Sequence, residues 1–190
     1  METINKFFPI ALFFLICSCQ QEQKEGQNFL KYFDDFSEDN LKIEVEEYTQ
    51  ERMFSPEECL PLSFLPLFDS IIPQTQSEST GAKPVGKVKI TPENYFLVVV
   101  QQDDYGPIYY ALNYHEKEHK IINSEKIAVI WGDAGDSQVI YSEINIKDNP
   151  LIIRKFIETC HADLEVEEDE IIITNEECSD SVSVVKWEIQ

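Results

Sequence analysis

From Val85 to the end of the chain, short stretches rich in β-branched and aromatic residues follow one another with turn chemistry between them. This succession restricts the fold more than any other feature. Strands are expected over residues 85–90, 95–101, 108–114, 120–131, 138–146, 151–159, 170–174 and 181–189. Asp103-Asp104-Tyr105-Gly106-Pro107, Gly132-Asp133-Ala134-Gly135-Asp136 and Asp148-Asn149-Pro150 supply the turns. Connections this short leave no room for crossover helices, which points to an antiparallel meander and away from a parallel nucleotide-binding sheet.

The part before residue 85 reads differently. Phe29, Phe33 and Phe36 recur at helical spacing, so 27–37 is expected to be an amphipathic helix. Leu41, Ile43 and Val45 alternate with charged residues as in a half-buried strand. Ser55-Pro56-Glu57-Glu58 is a helix start with a capping-box pattern, and Pro61, Pro66 and Pro73 restrict the apolar stretch 60–72 to short helical turns. Residues 74–84 read as a loop. The expected fold class is therefore α+β: mainly an antiparallel β-sheet meander with short N-terminal helices, one domain over 27–190.

Hydrophobic residues make up 43% of the chain and aromatics 12%, enough to form a core despite the charge. That charge is lopsided, with 36 acidic against 15 basic residues and a formal net charge of -21. No cluster of Lys and Arg exists to neutralise a phosphate backbone, so nucleic acid is not an expected partner. Anionic lipid would be repelled for the same reason, and membrane attachment would have to be covalent.

The N-terminus offers such an attachment. A short start with Lys6 leads into an apolar run, 7–16, too short to span a bilayer, and then into Ile16-Cys17-Ser18-Cys19. These four residues resemble the lipobox of bacterial lipoproteins. The resemblance implies that 1–18 is a cleaved signal peptide, that Ile16 and Ser18 are the aliphatic and small positions, and that Cys19 carries the lipid. Residues 19–26 would then be a tether, whose acidic, Gln-rich character is similar to export signals of surface lipoproteins in the Bacteroidota. The implied location is the cell envelope, lipid-anchored in the outer membrane on its surface or periplasmic face.

After such processing Cys59, Cys160 and Cys178 remain in an oxidising compartment, which permits one bridge. Cys160 with Cys178 is the preferred pair, because they flank one small segment and would close a loop worth about 3 kcal/mol. Spacing alone does not fix the connectivity. The cysteines lack the paired short spacings of zinc sites.

Three patterns suggest chemistry. His115-Glu116-Lys117-Glu118-His119 matches H-E-x-x-H and so resembles zinc metalloproteases, which would make His115 and His119 ligands and Glu116 the base. That chemistry needs a helix, yet the segment lies between two strand patterns and is expected to be a hairpin tip. No third ligand is evident, since Glu143 falls in another strand. Gly135-Asp136-Ser137 is similar to the start of a lipase-like family, with Glu158 and His161 downstream, but the spacing and sheet type do not suit a triad. Asp103, Asp104, Asp133 and Asp136 lack the full loop pattern of a calcium site. Tyr105, Tyr109, Tyr110, Tyr114 and Trp131 gather on the central strands, where they would form core or an exposed recognition patch.

The expected function is a non-enzymatic binding module of the envelope, without a cofactor, for a protein or polysaccharide partner. Two alternatives stand beside it: a zinc metallohydrolase at residues 115–119, and an immunity or inhibitor protein whose acidic face neutralises a basic toxin.

Overall fold

Phe96, Leu97, Val98, Val99 and Val100 follow one another without a polar break, and all five are buried. A strand apolar on both faces must lie in the interior, with material on either side. The surrounding architecture is known from a computed structural model that describes residues 29–45, 54–68, 81–103, 106–133, 135–167 and 170–187. The chain divides into two compact units, 1–32 and 33–190. In the first, Leu30–Tyr32 form one 3-10 turn.

The second unit holds an open antiparallel sheet of eight strands. They are β1 (Asn40–Ile43), β2 (Ala82–Lys89), β3 (Asn94–Asp103), β4 (Gly106–His115), β5 (Lys120–Asp133), β6 (Asp136–Asn145), β7 (Leu151–Glu167) and β8 (Glu170–Trp187). β2 to β8 pair in sequence order, and β1 pairs with β6. The meander read from the turn residues is thus the fold.

The sheet curls. The rings of Phe96 on β3 and Trp187 on β8 lie 6.0 Å apart, although most of the sheet separates their strands. Leu41, Ile43, Phe96, Val98, Ala111, Ile127, Ile144, Leu151 and Ile153 fill the enclosed core. The curl is accommodated by a fork. β5 pairs with β6 only between Val129 and Asp133, and beyond it β1 takes the side of β6 that β5 has left. At the fork the buried Ser142 hydroxyl donates to the Ile127 carbonyl at 2.6 Å, and Lys155 pairs with Glu125.

Two sequence expectations are corrected. The helix expected over 27–37 is absent among the described residues: after Tyr32 the chain extends, and Asp35 bridges Lys87 of β2. The aromatic spacing serves packing instead, with the Phe36 ring 6.4 Å from Phe96. The remaining helices among the described residues are short 3-10 turns at Pro56–Glu58 and Leu62–Leu67. Ser55 is the N-cap of the first, and its backbone N–H donates to the Glu58 carboxylate at 3.0 Å, the Glu58 half of the expected capping box. The expected break between 174 and 181 is also absent, since β8 is continuous from Glu170 to Trp187.

Candidate functional surface

Strand alternation sorts the side chains of β6, β7 and β8 onto two faces. Leu151, Ile153 and Trp187 point into the core, so Arg154, Phe156, Glu158, Val182 and Val184 point outward. Register aligns the outer residues into rows: Tyr141 opposite Phe156 opposite Val182, and Glu143 opposite Arg154 opposite Val184. Tyr141 and Phe156 stack, with centroids 4.7 Å apart and planes at 8°. The Lys42 ammonium sits 5.3 Å over the Tyr141 ring, kept charged first by its 2.5 Å pair with Glu44. Val182 and Val184 continue the rows at 60% and 51% exposure, more than core valines ever show. The result is an aromatic and aliphatic row, Tyr141, Phe156 and Val182, beside a row in which Glu143 stands between Lys42 and Arg154, a surface able to stack on a flat or apolar group.

Past these rows, β7 and β8 continue as an arm. Glu158 and Asp180 face one another on its outer side. Cys160 and Cys178, the next outward pair, form a disulfide across the two strands. Glu158, Cys160 and Cys178 bring potential ligand atoms within 4.8 Å of one another, but bonded sulfurs offer no thiolate to a metal. Cys59 is free and half-buried; burial, then the charge of Glu58, pushes its thiol upward in pKa.

The H-E-x-x-H segment is a hairpin turn over 116–119 between β4 and β5. The two imidazoles have separate partners. His115 Nδ1 accepts from the Glu118 N–H at 3.1 Å and its Nε2 lies 3.3 Å from Glu93. His119, at φ +50°, meets the Tyr114 hydroxyl at 3.2 Å. Burial, then the charge of Glu116, holds that phenol up to about 12, so it stays neutral and can donate. The zinc motif requires both imidazoles on one face of a helix, a geometry this turn does not provide.

Asp136 and His161 do come together, at 2.6 Å, but alternation puts Ser137 on the opposite face of β6, so no serine–histidine dyad forms. Of the aromatics singled out in the sequence, Tyr110 and Tyr114 are buried, Tyr109 packs against the core and Trp131 is 37% exposed; Tyr105 lies outside the described residues, as does Cys19. The aromatic pair that stacks on the outward face is Tyr141 and Phe156, both half-buried, on neighbouring strands whose alternation alone could have marked them as outward-facing. No described helix is long and apolar enough to cross a membrane. Compared with protein-family models, with curated proteins and with solved structures, the chain matches none.

Proposed function

We propose that this protein is a non-enzymatic binding module of the bacterial envelope, held in the outer membrane by lipid on Cys19 and presenting the outer face of β6 to β8 to a protein or polysaccharide partner. The stacked Tyr141–Phe156 pair carries the reading. Two half-buried rings lie on an outward face beside two exposed valines, where packing of the chain's own core does not require them. The neighbouring row, in which Glu143 stands between Lys42 and Arg154, suits a partner with apolar surface and polar or charged groups of both signs. Co-sedimentation of the membrane-anchored protein with purified envelope polysaccharide, and crosslinking to envelope proteins in intact cells, tests this. Wild type is expected to retain a partner that Phe156→Ser loses, while Cys19→Ser moves the protein to the soluble fraction. Retention unchanged by Phe156→Ser overturns the surface assignment, and Cys19→Ser remaining fully membrane-bound overturns the anchor.

The immunity reading is favoured by a separate observation, the opposed Glu158 and Asp180 followed by exposed Glu176 and Glu177 on the arm. Like charges set opposite each other are unfavourable alone and are relieved by a cationic partner. Unchanged sensitivity to toxin on deletion of the gene would count against it.

A further inference from the structure

We propose that the outer edge of β8 pairs with the same edge of a second copy of this chain, antiparallel and centred on Ser183. β8 ends the sheet, and no described residue bonds to its outer side. Long exposed edges of this kind template pairing with another strand.

The backbone phase is set by the pairing with β7. Cys160 and Cys178 stand opposite with Cα atoms 4.1 Å apart, the close spacing of a non-hydrogen-bonded pair. At such positions the N–H and C=O point away from the neighbouring strand. The register from Leu151 to Asp163 has no irregularity, so Cys178, Asp180, Val182, Val184 and Lys186 all aim their backbone groups off the free edge. A twofold axis through Ser183 sets Val182 against Val184 of the second copy and Asp180 against Lys186 of the second copy. Each of these pairs joins two residues whose backbone groups face outward, as a ladder requires.

The side chains select the same register. Val182 and Val184 are the exposed valines of this edge, and the pairing covers each with the other. Asp180 faces a like charge, Glu158, across β7, and Lys186 faces Ile152. Among the described residues neither Asp180 nor Lys186 has an opposite charge as partner. Pairing them relieves the repulsion and gives Lys186 an opposite charge. Moving the centre to Val182 sets Asp180 against Val184, and moving it to Val184 sets Val182 against Lys186. Only the Ser183 centre matches apolar with apolar and acid with base. Side chains opposite each other across the new ladder share a face, so the row Tyr141, Phe156, Val182 would continue into Val184 and Arg154 of the second copy.

This inference does not depend on the lipid anchor or on any ligand. Its test is crosslinking of the full chain in intact expressing cells. Ser183 would meet its own counterpart at a non-hydrogen-bonded position with Cα atoms about 4.5 Å apart, within disulfide reach. With diamide as the oxidant taking up the two thiol electrons, Ser183→Cys is expected to yield a species of twice the monomer mass. Ser181→Cys, which would face Val185 of the second copy, is expected to behave as wild type, and both variants retain Cys59. Lys186→Glu in the Ser183→Cys background should lower the crosslinked yield about tenfold. Adding Asp180→Lys to that chain restores opposite charges and should restore the yield. Absence of a Ser183→Cys dimer, equal crosslinking through Ser181→Cys, or indifference to Lys186→Glu each overturns the proposal.

Discussion

At β2, Lys87 exchanges backbone hydrogen bonds with Asp34 and Phe36 at 2.8 and 3.0 Å, Leu60 donates to Ala82 at 2.7 Å, and a register shift separates Pro84 from Gly86. At β8, 18 residues run from Glu170 to Trp187 without a proline, a bulge beside β7 below Asp163, or a described backbone partner on the outer side. The same sheet therefore ends in two ways. One edge is closed by the chain's own preceding segment and interrupted by residues that cannot hold a ladder. The other carries acidic residues along its distal part and valines near its base. Charge protects the distal part from indiscriminate pairing. The valines leave the base open to one register.

The contrast between the two edges depends most on Trp187. This residue is 5% exposed and is the point where the β8 side of the sheet meets β3. If the curl depends on it, Trp187→Ala should cost about 3–5 kcal/mol in urea denaturation, through lost burial and the cavity left against Phe96. A loss under about 1 kcal/mol would mean that β8 is held by its ladder to β7 alone.

The covered edge has its own weak point, with a smaller expected effect. A Cβ on Gly86 would lie 2.4 Å from the Phe36 ring, so Gly86→Ala must push Phe36 off β2. Overpacking of this kind costs about 1–3 kcal/mol. Amide exchange should show where: the Lys87 N–H, bonded to the Asp34 carbonyl, should lose protection while the amides of β8 keep theirs. Stability unchanged by Gly86→Ala would show that the Phe36 ring is free to leave and that the edge is covered by backbone alone.

How far the sequence foretold this depends on which forces placed each element. β3 to β6 could be read because alternation and turn residues agree, and each observed strand starts close to its expected start. The 175–180 stretch, Asn-Glu-Glu-Cys-Ser-Asp, has no apolar residue except its cysteine and so resembles a turn. It is a strand because β7 supplies a ladder in an arm exposed on its outer side, where no apolar pattern is needed. The aromatic spacing of 29–36 satisfies a helix equally well, and the choice was made by tertiary contacts: Asp35 with Lys87, and Phe36 in the space that Gly86 leaves. The stacking of Tyr141 on Phe156 rests on the β6–β7 register, which neither strand encodes locally. The turn at 115–119 was legible, because five polar residues between two strand patterns leave no length for a helix.

The smallest effect is expected where β6 ends and the arm goes on without it. Gly135, at φ +95°, makes the turn that only glycine takes without strain, and the Ala162 carbonyl would lie 2.2 Å from any Cβ there. The turn sets Asp136 opposite His161, the last pair of the β6–β7 ladder. The hydrogen bond that the imidazolium donates to Asp136, and then the charge of Asp136, raise the His161 pKa above the usual 6.5, and the charges of Asp163 and Glu177 add to this. A raised folded value means that the fold favours the imidazolium. The contribution to stability is then full below the unfolded value near 6.5 and is lost as pH rises through the higher folded value. Because His161 is exposed, screening keeps the effect small, and an NMR titration of its ring is a better reading than a melting curve. The midpoint should lie above 6.5 in the wild type and fall toward it in Asp136→Asn. A wild-type midpoint at or below 6.5 would mean that β7 has already parted from β6 at this pair, which would lengthen the bare arm and enlarge the contrast with β2.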